Sequence, residues 1–206
     1  MKRILLHGLG QTAASWEETV RWMEAPEEVL CLELFSLLQG RACTYENLYG
    51  ALVEYCRGIP GPVGLGGLSL GGILALQYSL EHAEKVTGVV LIGTQVVMPK
   101  GLLRFQNGVF RLLPDKAFVN MGIEKREAIQ LCRSMARLDF RQDLKRLACP
   151  ALVVCGERDW VNRRAAEALR KGLPRGQLVI VERAGHEVNQ DAPEALGRAL
   201  DAFFRR

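Results

Sequence analysis

Val63-Gly64-Leu65-Gly66-Gly67-Leu68-Ser69-Leu70-Gly71-Gly72 is the stretch on which the reading of this chain turns. An apolar strand-like run ends at Leu68, a helix-compatible segment begins at Gly71, and a serine stands between them with glycine at both flanks. Those glycines let the chain turn sharply enough to hold Ser69 in a strained backbone geometry, with its hydroxyl lifted clear of the sheet edge. At the N-terminus of the following helix, free backbone N–H groups and the helix dipole favour a developing negative charge. Gly-rich strand-to-helix turns also serve as simple packing devices, so Gly67-Leu68-Ser69-Leu70-Gly71-Gly72 alone does not decide the chemistry. Other readings of the same glycines do worse: a P-loop needs Lys before a Ser/Thr after its final Gly, and a dinucleotide fingerprint needs a third Gly where Ser69 stands.

Working outward, short runs rich in Val, Ile and Leu alternate with longer amphipathic segments, the pattern of a parallel sheet covered by helices on both faces. The runs are Arg3–Leu6, Val29–Leu34, Val63–Leu68, Gly88–Ile92, Ala151–Cys155 and Leu178–Val181. Helices are predicted near Thr12–Met23, Tyr45–Cys56, Gly71–His82, Arg163–Gly172 and Ala192–Phe204. The expectation is an α/β fold, a three-layer αβα sandwich around a six-stranded, mostly parallel sheet, formed by one domain over residues 1–206. The alternation breaks between about Pro99 and Cys149, a stretch too long for a simple connection and without strand runs. Its apolar residues recur at helical spacing in Leu102–Leu113 and Ala128–Leu138, so 99–149 is read as a small helical lid. This segment holds 11 Lys/Arg against 5 Asp/Glu, while the rest of the chain carries a slight acidic excess. The cations are compatible with an acyl chain bearing an anionic group; the simpler reading is a solvated charged face.

Composition excludes several classes. Apolar residues at 49% and charged residues at 24% are close to soluble globular averages, which argues against disorder. No apolar run approaches the roughly 18 residues that span a bilayer, and the N-terminus has too short a hydrophobic stretch for a signal peptide. A cytoplasmic location is the default expectation. A net charge of +4 over 206 residues gives no argument for nucleic acid. The six cysteines include no Cys-x-x-Cys pair, and Cys31 and Cys155 lie in apolar runs; all are read as reduced core thiols.

A serine hydroxyl needs a base to take its proton, and the chain offers three histidines, His7, His82 and His186. His82 falls at the end of the helix after Ser69, where a solvated or capping role fits. His186, in Ala184-Gly185-His186-Glu187, follows the last strand at its C-terminal end, the edge where active residues of open α/β sheets gather; it is the candidate base. No second histidine follows at zinc-protease spacing. The base needs an anion to fix its tautomer, and Gly156-Glu157-Arg158-Asp159 follows the fifth strand at the same edge. Asp159 is the choice and Glu157 the reserve. Two backbone N–H groups should stabilise charge on the carbonyl oxygen. Leu70, after the serine, gives one; His7-Gly8-Leu9-Gly10 after the first strand gives the other, assigned to Leu9 with Gly10 as the alternative, while His7 braces that loop. Trp22 and Trp160 are candidate core residues, and Trp160, adjoining Asp159, is also a candidate for lining the substrate pocket.

With Ser69, Asp159 and His186 in that chain order and at those strand ends, the sequence resembles the α/β-hydrolase superfamily, and within it the small bacterial carboxylesterase-type serine hydrolases with a short helical cap. The resemblance covers nearly the whole chain. It implies that the family's first two strands are absent, leaving six in the spatial order second-first-third-fourth-fifth-sixth. Haloalkane dehalogenases and epoxide hydrolases of that superfamily carry Asp at the position of Ser69, so the resemblance disfavours both activities. It implies no cofactor.

The leading expectation is therefore hydrolysis of a small-molecule ester or thioester through an acyl-Ser69 intermediate. The same residues would serve carbon–carbon bond hydrolysis, lyase chemistry or acyl transfer. A reading from a different class is a catalytically silent hydrolase fold used as a binding module, although such proteins typically lose one of the three side chains. Oligomeric state is not legible.

Overall fold

The computed structural model describes residues 1–98, 108, 110, 112–119 and 122–205. Six parallel strands form one sheet in the order β2-β1-β3-β4-β5-β6. They are β1 (Arg3–Leu6), β2 (Val29–Leu32), β3 (Val63–Leu68), β4 (Val86–Ile92), β5 (Ala151–Gly156) and β6 (Gly176–Val181). The expected strand order is the one observed. Successive side chains of a strand point to opposite faces, and the core divides accordingly. Ile4, Leu6, Leu65, Val89, Leu91 and Val153 pack on one face, while Leu5, Leu68, Val90, Ile92, Leu152 and Val154 pack on the other.

The larger helices cover these faces: α1 (Glu17–Arg21), α2 (Tyr45–Arg57), α3 (Leu70–Glu81), α4 (Lys116–Val119), α5 (Lys125–Ser134), α6 (Trp160–Gly172), α7 (Val188–Asp191) and α8 (Pro193–Phe204). Helix α3 is buried on almost every side, so it shows no polar stripe; its neighbours are the sheet and α2. The amphipathic α6 and α8 each turn a narrow apolar face inward.

Several boundaries differ from expectation, each for a physical reason. The second strand stops at Leu32 instead of Leu34, because the Leu34 N–H donates to the buried His7 imidazole and the chain folds into a 3₁₀ turn over Phe35–Leu38. The predicted helix Thr12–Met23 is a 3₁₀ turn over Ala13–Trp16 followed by α1. Helix α6 starts at Trp160, three residues early, because the Asp159 side chain accepts the Asn162 N–H and caps it. The last helix runs as expected to within one residue, with Pro193 opening α8, and a separate short helix, α7, precedes it.

Between β4 and β5 the chain leaves and returns side by side. Phe140 N–H donates to Val96 O (2.8 Å) and Met98 N–H to Leu138 O (3.2 Å), around an antiparallel bridge of Val97 with Asp139. Most of the expected helix Leu102–Leu113 lies outside the described residues. The expected Ala128–Leu138 helix is α5, shifted toward its N-terminus, with a 3₁₀ turn over Met135–Arg137. Acidic side chains of this segment pair locally with its cations at the surface, Glu124 with Arg126, Asp139 with Arg141 and Asp143 with Arg146.

All six cysteines are free thiols, five of them buried. Burial pushes the Cys132 thiol up to about 12, so it stays protonated at neutral pH. Trp22 and Trp160 are not core residues: their exposures are 46% and 82%, and the Arg198 guanidinium lies over the Trp22 ring. Among the described residues no helix is long and apolar enough to cross a membrane.

One buried ion pair ties the two ends of the fold together. Arg3 Nη1 donates to Asp201 Oδ1 at 2.8 Å, its Nη2 donates to Glu24 O and Ala25 O, and Asp201 Oδ2 accepts Glu24 N–H. Removing this anion would leave the buried guanidinium with only the half-exposed Glu28 carboxylate at 3.8 Å, so Asp201→Ala is expected to cost about 3 kcal/mol. Urea unfolding of both proteins measures this difference.

Candidate active site

Ser69, Gly93, Asp159 and His186 follow the C-terminal ends of β3, β4, β5 and β6, and the His7–Gly10 loop follows β1, so one edge of the sheet collects them. Ser69 has φ 51° and ψ −109°, a conformation that an L-residue adopts only at a cost. Its N–H donates to Ile92 O at 2.8 Å, which ties the turn to the neighbouring strand. The flanking glycines serve space more than torsion. A Cβ on Gly67 would fall 2.2 Å from the Gly71 carbonyl carbon, and one on Gly71 would fall 2.2 Å from Leu6 O. Strain therefore resides on the serine itself, while the glycines let α3 close against β1 and β3.

The structure brings Asp159 and His186 together. His186 Nδ1 lies 2.8 Å from Asp159 Oδ2, and the carboxylate is buried while the imidazole side chain is 42% exposed. Burial alone would raise the Asp159 pKa; hydrogen bonds from His186 and Asn162 outweigh it and hold the carboxyl below its usual range. With an ionised carboxylate at Nδ1, the imidazole proton belongs on Nδ1, and Nε2 carries the lone pair. Glu157, the reserve anion, is exposed and accepts the Arg183 N–H instead.

Gly93, just after β4, stands against the His186 ring. A Cβ on Gly93 would lie 2.8 Å from His186 Cε1, and the residue before it, Ile92, holds the Ser69 amide. Among the described residues no hydrogen bond joins the Ser69 hydroxyl to the imidazole, and the His186 ring bonds all run through Nδ1. The loop carrying His186 is closed by Gly185 N–H donating to Asp191 Oδ2.

His7 is fully buried beneath the loop after β1. Its Nδ1 lies 2.9 Å from Gly8 O, its Nε2 receives the Leu34 N–H, and Glu33 Oε1 stands 3.1 Å from the same nitrogen. This is the bracing expected of it. Farther along the loop, Gln11 and Asn189 exchange two amide hydrogen bonds of 3.2 Å, both side chains buried, which locks the loop against the segment after His186. Among the described residues, no turn or loop hydrogen bond uses the N–H of Leu9 or Leu70. His82 is the C-terminal cap of α3, with its ring 4.5 Å from that of Tyr78. Trp160 opens α6 beside Asp159 with its ring in solvent.

Sequence reasoning missed Asn162 and Gln95. Asn162 is 6% exposed, and its amide nitrogen lies 2.9 Å and 2.8 Å from the two Asp159 oxygens, while Gln95 Nε2 donates to Asn162 Oδ1. The signal was the spacing of Asp159-Trp160-Val161-Asn162, a cap and its third residue, which places Asn162 over the cap.

Comparison with known proteins supports the same frame. A profile described as the Alpha/beta hydrolase family matches residues 4–199. Among curated proteins, the chain is 26% identical to a biotin biosynthesis bifunctional protein, BioHC, of Teredinibacter turnerae; the match covers 98% of this chain but only 44% of that longer protein. It is 22% identical to the pimeloyl-[acyl-carrier protein] methyl ester esterase of Nitrosomonas europaea, over 97% of this chain and 94% of that one. Among solved structures, a thermophilic esterase from Thermogutta terrifontis superposes with a TM-score of 0.79 at 22% identity, covering 100% of this chain and 89% of that one, which is a likeness of fold.

Proposed function

The chain belongs to the alpha/beta hydrolase family, and from that premise we propose that it cleaves an ester or thioester of a small molecule through an acyl-Ser69 intermediate, with His186 as general base and Asp159 as its orienting acid. The observation that carries the reading is the 2.8 Å pairing of a buried, ionised Asp159 with His186 Nδ1 at the sheet edge where Ser69 sits on a strained turn. Small relatives named as ester hydrolases support the ester class.

His186 Nε2 takes the Ser69 proton as Oγ attacks the carbonyl carbon. In free hydrolases such serine–histidine bonds are long or misaligned and tighten when substrate binds. The tetrahedral oxyanion is met by the N–H groups of Leu9 and Leu70, the first supported by the His7 brace and the second standing at the start of α3. Collapse expels the alcohol or thiol with the proton from Nε2. Water then attacks the acyl-serine, giving a proton to the same nitrogen, and as the second tetrahedral intermediate collapses Nε2 returns that proton to Ser69 Oγ, releasing the acid and restoring the free serine. Residues 99–149 are the lid of this reading, and Trp160, exposed at the rim beside Asp159, is its candidate contact for the acyl group.

A fluorophosphonate probe is expected to label the wild-type protein at Ser69 and to leave Ser69→Ala unlabelled; labelling of both would defeat the proposal. A panel of p-nitrophenyl esters then gives the acyl preference, and intact labelling without turnover of any ester would move the chemistry to carbon–carbon or acyl-transfer substrates. Asp159→Asn keeps the shape of the pair but no longer fixes the Nδ1–H tautomer. It is expected to lower kcat by about 10³ to 10⁴-fold, read on the best ester of the panel.

A further inference from the structure

We propose that Asn162 is a positioning residue for the Asp159–His186 pair and is itself aimed by Gln95, so that the segment leaving β4 sets the geometry of the base. This rests on the reading of Asp159 and His186 as acid and base.

The orientation of the Asn162 amide follows from its partners. Its Nδ2 lies 2.9 Å from Asp159 Oδ1, 2.8 Å from Oδ2 and 3.1 Å from His186 Nδ1. The opposite orientation would set its oxygen against both carboxylate oxygens, an acceptor facing two acceptors in a buried site. Gln95 Nε2 donates to Oδ1 at 2.6 Å and completes the amide's hydrogen bonds. The Asn162 backbone N–H adds a longer bond of 3.3 Å to Asp159 Oδ1. One residue thus satisfies most of the acceptor capacity of the buried carboxylate, and Oδ2 is shared between Asn162 and His186.

Two consequences follow for the base. First, Asp159 has no freedom to rotate about its last torsion, because Oδ1 and Oδ2 are both pinned, so the direction of its bond to Nδ1 is fixed. Second, an amide N–H 3.1 Å from Nδ1 would reward an unprotonated Nδ1 if the carboxylate moved away. Correct aim of Asp159 therefore decides between the tautomer that can accept the Ser69 proton and the one that cannot.

Gln95 brings the lid stem into this chain of contacts. It lies one residue before Val96, whose carbonyl accepts the Phe140 N–H where the 99–149 segment departs and returns. The path runs Gln95 to Asn162 to Asp159 to His186, each link a hydrogen bond of 3.1 Å or less.

The test is a double-mutant cycle on an ester the protein turns over. Asn162→Leu, similar in volume but without donors, is expected to lower kcat by about 10 to 100-fold with KM within about twofold. In the Asp159→Ala background the same substitution is expected to change kcat by less than about twofold, since the group through which it acts is gone. An equal loss in both backgrounds, a loss confined to KM, or no loss in the wild-type background would overturn the proposal. Should Asn162→Leu fail to fold, Gln95→Met in the same cycle decides, with a loss of about 3 to 10-fold in kcat expected only when Asp159 is present. Activity fully retained in Asp159→Ala would instead sink the reading of Asp159 as the acid, a comparison that does not involve Asn162 and so separates the two failures.

Discussion

Ser69→Ala is expected to lower kcat on p-nitrophenyl esters by about 10⁴ to 10⁶-fold while leaving the fold intact. The hydroxyl makes no hydrogen bond to the helix it caps, and Ala adopts the same backbone no less easily, so its removal should cost little stability. A sharper form of the same prediction uses Ser69→Gly. At φ 51° and ψ −109° the serine pays for a conformation that glycine adopts freely, and relief of that strain is expected to raise unfolding stability by about 1 to 3 kcal/mol. A variant that is inactive and more stable than the wild type is the mark of strain kept for chemistry. Equal activity in Ser69→Ala would remove the serine from the mechanism, and a Ser69→Gly protein less stable than wild type would remove the strain argument.

The second large effect concerns Gly71. A Cβ there would lie 2.2 Å from Leu6 O and 2.8 Å from His7 O, and both are backbone atoms of the strand end and the loop that α3 packs against. Neither can yield without separating α3 from β1. Gly71→Ala is expected to cost more than about 4 kcal/mol and to leave little soluble protein. Gly72 makes an instructive contrast, because the worst clash of its Cβ is with a side-chain atom, the Thr94 hydroxyl at 2.0 Å, while the backbone contact, Gly67 O, is a milder 2.9 Å. Thr94→Ala should therefore recover part of the loss in Gly72→Ala, whereas no side-chain change should rescue Gly71→Ala. Soluble yield, and urea unfolding of whichever variants are soluble, checks the pattern, and a soluble, stable Gly71→Ala would contradict the packing described.

Both predictions arise at one turn, and the turn shows what sequence could and could not supply. The strands were legible because continuous runs such as Ala151–Cys155 and Gly88–Ile92 carry the apolar signature of a sheet covered on both faces. Their spatial order came from the family resemblance, and the hydrogen-bonded registers agree with it. The strain expected on Ser69 is there, with its positive φ, and Gly67 and Gly71 add something unread, the room that lets α3 close against β1 and β3. Close approach of two elements distant in sequence leaves no local trace, so only coordinates reveal it.

The same limit explains Glu33 and Asn162. Glu33 reads as the tail of a strand, yet it stands beside the imidazole of His7, 26 residues away, and its other oxygen accepts the Ala13 N–H. Asn162 falls just before the helix expected from Arg163, and its role depends on Gln95, 67 positions earlier. Asp159 was found from its place after a strand, while its second duty as the cap of α6, which moved the helix start by three residues, went unread because one side chain was credited with one purpose. The exposed rings of Trp22 and Trp160 show the opposite error, where residue type suggested burial and position decided otherwise.

Rapid mixing with a p-nitrophenyl ester, quenched on the millisecond scale and read by intact mass and peptide mapping, addresses the acyl-enzyme most directly. A burst of close to one p-nitrophenolate per protein, with the acyl mass on the peptide containing Ser69, is the expected result. Turnover by the wild-type protein with neither a burst nor an adduct, or an acyl group mapped to any other residue, would contradict it.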